Sequence, residues 1–397
     1  MRRLWGAVLC GYLALGGTLQ ELPGYLADRF GAGPALTGLA VGLAFAATAL
    51  GRPFAGLAGD LGWSRPVVIL GAGLTTLGAL GHLFAPTVGV VLAARLVMGA
   101  GEAALFSGAL PWVLSGTPAG RGGRVAGWFG LSMWGGLALG PLLAVAAHRA
   151  GGAAAVWWLV AALPVVSTVL MASTRRPVLG GGGRVVRVRS WWDLVPRGAG
   201  LPGLCLGLAA YGYGTLGALL VLYLGGQHPG GGQHPGGAGV HPGGQPLGGE
   251  SVALTVYAAA FLLTRGVGSP LIDRYGGARV ASLVLGLAVA GLALLAAVPA
   301  EAAALTGTAL AGVGLGLVYP ATAAMTLHRT KRSPGLAVAA MTSLWDLGIL
   351  AAGPIGGVLA GHLGYRPAFA VAAGVVALAL AIALGSVRTG PATRPSG

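Results

Sequence analysis

Twelve mostly apolar stretches, each broken by charges, prolines or glycine clusters, follow one another along this chain. They cover approximately 4–27, 35–58, 67–85, 88–115, 125–147, 153–173, 201–224, 251–271, 280–298, 302–327, 335–360 and 368–387. A helix that crosses a bilayer needs about 20 such residues, so each stretch reads as one crossing. The alternative, a soluble fold, fails on composition. Only 8% of the 397 residues are charged, against roughly 25% in a soluble domain, so there is too little polar surface to cover a core in water. That excludes a cytosolic enzyme, a disordered chain and a nucleic-acid-binding domain. Frequent Gly and Ala would weaken helices in water, but in lipid they let helices pack closely. The expected class is therefore an all-α membrane protein with twelve transmembrane helices, embedded in a lipid bilayer. The first stretch is too long for a cleaved signal peptide, and similar stretches follow it.

The formal net charge of +15 has no basic domain to carry it. With the N-terminus inside, the inner face holds Arg2, Arg3, Arg65, Arg121, Arg124, Arg175, Arg176, Arg184, Arg187, Arg189, Arg197, Arg274, Arg279, Arg329, Lys331, Arg332, Arg388 and Arg394. The outer face holds only Arg29, Arg149 and Arg366. This asymmetry predicts that both termini are cytoplasmic in a bacterial-type inner (plasma) membrane. Cys10 and Cys205 lie inside apolar stretches, which excludes a disulfide scaffold and a thiolate metal site.

The two halves match at one fixed offset. Arg52 aligns with Arg265, Asp60 with Asp273, Gly99 and Gly101 with Gly312 and Gly314, and Gly140-Pro141 with Gly353-Pro354. An even number of crossings separates the copies, so this is a parallel repeat. At a different, shorter offset, Gly17-Thr18-Leu19 resembles Gly214-Thr215-Leu216. The organisation read from this is a six-helix bundle over 1–174, a cytoplasmic linker over 175–200 and a second six-helix bundle over 201–397. The linker carries six Arg and the Trp191-Trp192 pair, suited to anionic headgroups and the interface. A Gly/His-rich outer loop occupies 225–250. Its His228, His234 and His241 are weak candidates for Cu²⁺ or Zn²⁺, because flexible spacing does not preform a site. Repeat expansion in a tolerant outer loop is the preferred explanation, so no metal and no cofactor is expected.

The loop after the second span reads Gly56-Leu57-Ala58-Gly59-Asp60-Leu61-Gly62-Trp63-Ser64-Arg65. It is similar to the G-x-L-A-D-R-x-G-R-R signature of the major facilitator superfamily, with Leu61 in place of the first Arg and a turn one residue short. The second copy reads Asp273-Arg274-Tyr275-Gly276, with Arg279 following. Arg95 and Gly99 resemble the family's R-x-x-x-G. Gly136, Gly140 and Pro141 resemble the G-x-x-x-G-P motif of its exporters, with Ala144 where a further Gly would stand. The chain thus resembles that superfamily, its bacterial drug and metabolite efflux members in particular. The resemblance implies two bundles around a central cavity, alternating access by rocking, and a monomer. It also implies that Arg52, Asp60, Arg65, Arg265, Asp273, Arg274 and Arg279 act at a cytoplasmic gate.

Ionisable groups inside a membrane span are costly and are functional candidates by default. Glu21 and Arg95 lie roughly 9 and 10 Å deep, counting 1.5 Å per residue from the outer ends of their spans. They could pair with each other, or Glu21 could simply reach the headgroups. Glu102 lies deeper, two turns from Arg95 on the same face. Burial penalises the charged form of a carboxyl group, so Glu102 is a candidate for loading and releasing a proton. Asp346 is the one mid-depth charge expected in the second half, and with Trp345 it could form an acidic and aromatic wall for a cation. Trp134, Tyr211 and Tyr213 are further candidates to line a substrate site. Tyr211 and Tyr213, two residues apart, face different sides. Gly136, Gly140, Pro141, Gly353 and Pro354 read as hinge or packing positions, with kinks at the prolines.

The function expected is proton-coupled efflux of small amphipathic or cationic molecules. A sugar or metabolite exporter of the same superfamily is the alternative. Against sugar stands the absence of Asn from the whole chain. A membrane-embedded enzyme would need clustered catalytic groups, and none is apparent. A channel would need a filter or ring motif, which is also not evident; a channel or non-transporting sensor is the distant reading.

Overall fold

The computed structural model describes residues 2–32, 34–118, 121–174, 191–225, 249–330 and 333–389. Residues 175–190 of the expected linker and the loop with His228, His234 and His241 lie outside them. The helices are α1 (Arg2–Phe30), α2 (Pro34–Ala58), α3 (Ser64–Leu83), α4 (Val88–Ser115), α5 (Gly122–Ala172), α6 (Arg197–Gly225), α7 (Gly249–Tyr275), α8 (Gly277–Ala297), α9 (Glu301–Gly316), α10 (Val318–Arg329), α11 (Pro334–Leu363) and α12 (Tyr365–Thr389). No strand occurs among the described residues.

Helices and crossings are not the same count of objects. With 51 residues, α5 would be about 76 Å long at 1.5 Å per residue, far more than a bilayer core of about 30 Å. Its backbone leaves helical geometry at Gly151 and Gly152, where Gly152 takes φ +66°, a conformation that a Cβ disfavours. It therefore makes two crossings, divided where the sequence separates 125–147 from 153–173. Conversely, α9 and α10 meet at Leu317 and together make one. The result is twelve spans in two halves.

Within the first half α1 packs on α5, and α4 on α2 and α3; within the second, α6 packs on α11 and α8 on α12 and α9. The halves meet where α2 lies along α11 and where α5 touches α7 and α10. The repeat is visible in these contacts. A Cβ on Gly99 would strike the carbonyl of Ala44, and one on Gly312 would lie 2.7 Å from the carbonyl of Tyr257. Ala44 and Tyr257 are themselves equivalent positions, separated by the same offset as the two glycines. The same helix crossing has thus been built twice around the same glycine.

Gly136 and Gly140 also mark a close crossing, of α5 on α1: their Cβ atoms would fall 2.6 Å from Tyr12 Cβ and from the Leu13 carbonyl oxygen respectively. The mates of Gly140 and Pro141 differ from the expectation of tight packing. Gly353 and Pro354 are exposed, and nothing lies within 4 Å of a Cβ on Gly353, because this face of α11 points away from the bundle. Nor does either proline break its helix. The only non-helical backbone inside α5 is at Gly151 and Gly152, and α11 runs on through Pro354. Replacing Gly140 by Val should cost about 1–3 kcal/mol through overpacking, whereas Gly353→Val should leave stability unchanged. Thermal unfolding of the two purified proteins in one detergent checks the contrast.

Candidate functional site

Between the halves lies a central cavity lined by Tyr12, Leu15, Phe45, Thr48, Arg52, Glu102, Met133, Trp134, Leu137, Trp345 and Asp346. It leaves about 10 Å³, space for about one water, so the two walls are drawn together. From the first half come α1, α2, α4 and α5; α11 supplies the opposite wall.

An ion pair crosses the cavity. Arg52 Nε donates to Asp346 Oδ2 at 2.5 Å and Nη2 to Oδ1 at 3.2 Å, with both side chains buried. The guanidinium carbon also stands 5.9 Å from the Phe106 ring centroid, within reach of a cation–π attraction. This corrects two expectations. Arg52 belongs to the central site and not to a gate at the helix end, because it lies six residues from the end of α2, about 9 Å into the span. Asp346 is also not a free acid facing a cation, since the Arg52 guanidinium already occupies it.

Glu102 contrasts with that pair. It is fully buried, and among the described residues neither carboxyl oxygen has a hydrogen-bond partner. Arg95, Arg52 and Asp346 are within electrostatic reach. Tyr12 approaches the same residue, but its hydroxyl donates to the Glu102 backbone carbonyl at 3.1 Å.

Aromatic rings fill the space toward the second half. Trp134 packs against Trp345 at 4.6 Å between centroids, Phe261 at 5.3 Å and Tyr213 at 5.7 Å. Tyr257 joins through Tyr213 at 5.9 Å. Tyr211 is buried away from this cluster, beside Thr215 on its own helix. Beside Trp134 lies Arg265, wholly buried, so it too is a mid-depth group and not a gate residue. Asp346 is therefore not the only mid-depth charge in the second half. Counting residues from the end of α7 would have placed Arg265 ten residues, about 15 Å, from Tyr275.

Glu21 and Arg95 do not pair. Glu21 faces α5, where both its oxygens lie near His148 Nδ1, at 3.1 and 3.0 Å. Arg95 turns to α2 instead: Nε donates to the Ala40 carbonyl at 3.0 Å and Nη2 to that of Val41 at 3.4 Å. Equal depth does not bring the two together, because their helices present them to different neighbours.

At one end of the bundle, the chain turns between α2 and α3 through Gly59–Trp63, a π-helical turn with Gly62 at φ +95°. It points Asp60 at the start of α11, where the carboxylate accepts the backbone N–H groups of Gly335 (3.0 Å) and Leu336 (2.8 Å). These are donors that no helical carbonyl satisfies, and negative charge is favoured there. Arg65 donates to the Ala172 carbonyl at the end of α5 at 2.9 Å. The repeat mates behave differently. Asp273, Arg274 and Arg279 are exposed, and among the described residues Asp273 pairs with neither arginine; Arg274 lies over Tyr275.

A sequence profile described as Major Facilitator Superfamily matches residues 4–230 and 203–397. An uncharacterized MFS-type transporter of Burkholderia mallei (strain SAVP1) is 31% identical over 388 residues, covering 95% of this chain and 88% of that one. A counterpart in Salmonella typhimurium is 29% identical over 389 residues, 96% and 94% of the two chains. Among solved structures, the human organic anion transporter MFSD10 superposes with a TM-score of 0.72 at 18% identity, covering 96% of this chain and 98% of that one. The Escherichia coli fucose:proton symporter FucP gives 0.72 at 17%, with 97% and 98% covered. At these identities the structures speak for the fold.

Removing one partner of a buried ion pair leaves the other charge uncompensated, at a cost of about 3–5 kcal/mol. Asp346→Asn should therefore destabilise the protein strongly. The double substitution Arg52→Met with Asp346→Leu should recover most of the loss. A double-mutant cycle of unfolding midpoints in detergent measures it.

Proposed function

Because the chain belongs to the Major Facilitator Superfamily, we propose that it is a secondary active transporter that exports small amphipathic molecules in exchange for protons by alternating access. Transmembrane transport by a multi-pass protein follows from the family; direction, coupling and substrate are the steps beyond it. The observation that carries the coupling is Glu102. A carboxyl group buried without any donor is stable there only with its proton on. Once deprotonated, it becomes a second carboxylate within reach of Arg52, in competition with Asp346. Because Arg52 and Asp346 stand on opposite halves, that competition acts on the contact between them. Proton loading is thereby linked to rocking.

The proposed orientation puts both termini, and therefore Asp60, at the cytoplasmic side of a bacterial inner membrane. On that reading, Asp60 on the α11 N-terminus latches the cytoplasmic end shut in this conformation. The latch breaks when the halves rock and α11 withdraws. The Gly136/Gly140 crossing in α5, shared with the superfamily's exporters, supports export. The cavity wall supports an amphipathic cargo in preference to a sugar. It offers rings and aliphatic groups, with Tyr12 and Thr48 as its only neutral hydroxyls, and the Thr48 hydroxyl donates to the Ala44 and Gly99 carbonyls at 2.7 and 3.0 Å. Asp346, already engaged by Arg52, weakens the case for a cationic cargo.

Proteoliposomes containing a pH-sensitive dye and challenged with small aromatic acids, amides and amines test the proposal. Wild type should show substrate-dependent proton flux. Glu102→Gln should lose that flux and keep substrate–substrate exchange across the membrane. Full proton-driven transport by Glu102→Gln would sink the coupling role. Flux indifferent to any gradient would point to a channel.

A further inference from the structure

Arg265 is a fully buried cation whose Nε, Nη1 and Nη2 all lack a hydrogen-bond partner among the described residues. Its guanidinium carbon sits 5.0 Å from the ring centroid of Trp134, 5.1 Å from Tyr319 and 5.2 Å from Phe261. Three rings hold the charge, but none accepts its N–H protons. A guanidinium offers five donors in a fixed fork that matches a carboxylate or another planar or tetrahedral oxyanion. Leaving that fork empty in a dry interior is costly, so the missing acceptor requires an explanation.

The repeat supplies one. Arg52 and Arg265 are equivalent positions in the two copies. So are the rings beneath them, Phe106 under Arg52 and Tyr319 under Arg265. Arg52 has its carboxylate, Asp346. The first-half position equivalent to Asp346 is Met133, which lines the central cavity. One of the two equivalent sites across the seam is therefore a complete guanidinium–carboxylate pair. The other has the same arginine over the equivalent ring, with the acid replaced by a thioether that cannot pair with it.

We propose that Arg265 is the anion receptor of the transport site, and that the cargo is an organic anion whose oxyanion group fills the place Met133 leaves without a charge. This rests on the transporter reading above and names its substrate class. The anion's apolar body would pack among Trp134, Tyr213 and Trp345, one ring away from Arg265. Trp134 comes from the first half and Tyr319 and Phe261 from the second, so the walls around Arg265 separate when the halves rock. Cargo therefore enters and leaves with the access cycle. Trp134 Nε1 and Tyr257 Oη, which have no partner among the described residues, are further donors for the same group.

The test uses the purified full-length protein in detergent with four probes: benzoate and naphthalene-2-sulfonate, against benzamide and benzylammonium. Binding is read as a rise in melting temperature and as tryptophan quenching. The two anions should give both signals, and the neutral and cationic analogues neither. Arg265→Gln should lose the anion response. Met133→Asp should raise the melting temperature without ligand, by completing the second pair, and should also lose the response, while Met133→Asn does neither. If Arg265→Gln does not fold, Met133→Asp carries the test alone. Anion signals no larger than those of benzamide, or a response that survives in either variant, overturn the proposal. Proton flux is a separate readout. Arg265-dependent anion binding without any proton-linked flux rejects the transport reading alone. Glu102-dependent flux of the amine or amide, with no anion binding, rejects the anion receptor alone.

Discussion

A guanidinium and a carboxylate taken out of water each lose several kcal/mol of hydration, and the Arg52–Asp346 pair restores part of it only while the two halves are together. The pair therefore does more than neutralise two charges. It joins α2 to α11 at mid-depth, and Asp60, on the turn that follows α2, holds the start of α11 at the end of the bundle. From Gly335 to Asp346 is eleven residues, about 16 Å along α11. The seam between the halves is thus held at two points about three turns apart, each by an acid. Elsewhere the seam is mainly glycine, alanine and aromatic packing, with Arg265 set among rings from both halves.

The internal repeat divides what the fold needs from what the site does. Some packing positions keep their partners across the two copies: Gly99 on Ala44 reappears as Gly312 on Tyr257, with the same backbone approach, although tightly packed Gly140 has the open Gly353 as its mate. Polar positions do not. Asp346 has Met133 as its mate, Glu102 has Leu315 and Arg95 has Thr308. Asp60 caps α11, while its mate Asp273 is exposed. A helix crossing tolerates few substitutions, because a Cβ at the wrong place meets backbone. A polar group in a cavity wall is bound only by the need for some acceptor or donor. Two copies can therefore share one scaffold and present different chemistry to the space between them.

What the sequence makes legible follows the same division. Hydropathy in lipid depends on composition along one helix, so the twelve spans are readable, including the break at Gly151 and Gly152 inside a run that is otherwise helical. Depth is readable too, by counting residues, and it singles out Glu102 and Asp346. Azimuth is not readable, since each residue turns the helix by about 100° and a neighbour can lie on any side. Glu21 and Arg95 illustrate this: similar depth, yet one faces His148 and the other faces the Ala40 and Val41 carbonyls. Motif resemblance misled in a different way. It assigned Arg52 and Arg265 to the gate because Asp60 and Asp273 follow them closely in sequence. Eight residues along a helix is about 12 Å, enough to move a side chain from a membrane surface into the middle of the bundle.

In an apolar solvent every buried polar group needs an internal partner, and this makes the few exceptions informative. Arg95 is met by carbonyls, Arg52 by Asp346 and Glu21 by His148. After those pairings, the Asp, Glu and Arg side chains left at mid-depth among the described residues are Glu102 and Arg265, an acid without a donor and a base without an acceptor. They have different surroundings: Glu102 has Arg95, Arg52 and Asp346 within electrostatic reach, while Arg265 lies among the rings of Trp134, Tyr319 and Phe261. On the proposed reading each is satisfied from outside the protein, the acid by a proton and the base by an anion. Depth alone nominates Glu102 and Asp346. Pairing removes Asp346 and puts Arg265 in its place, which shifts the expected cargo from a cation to an anion.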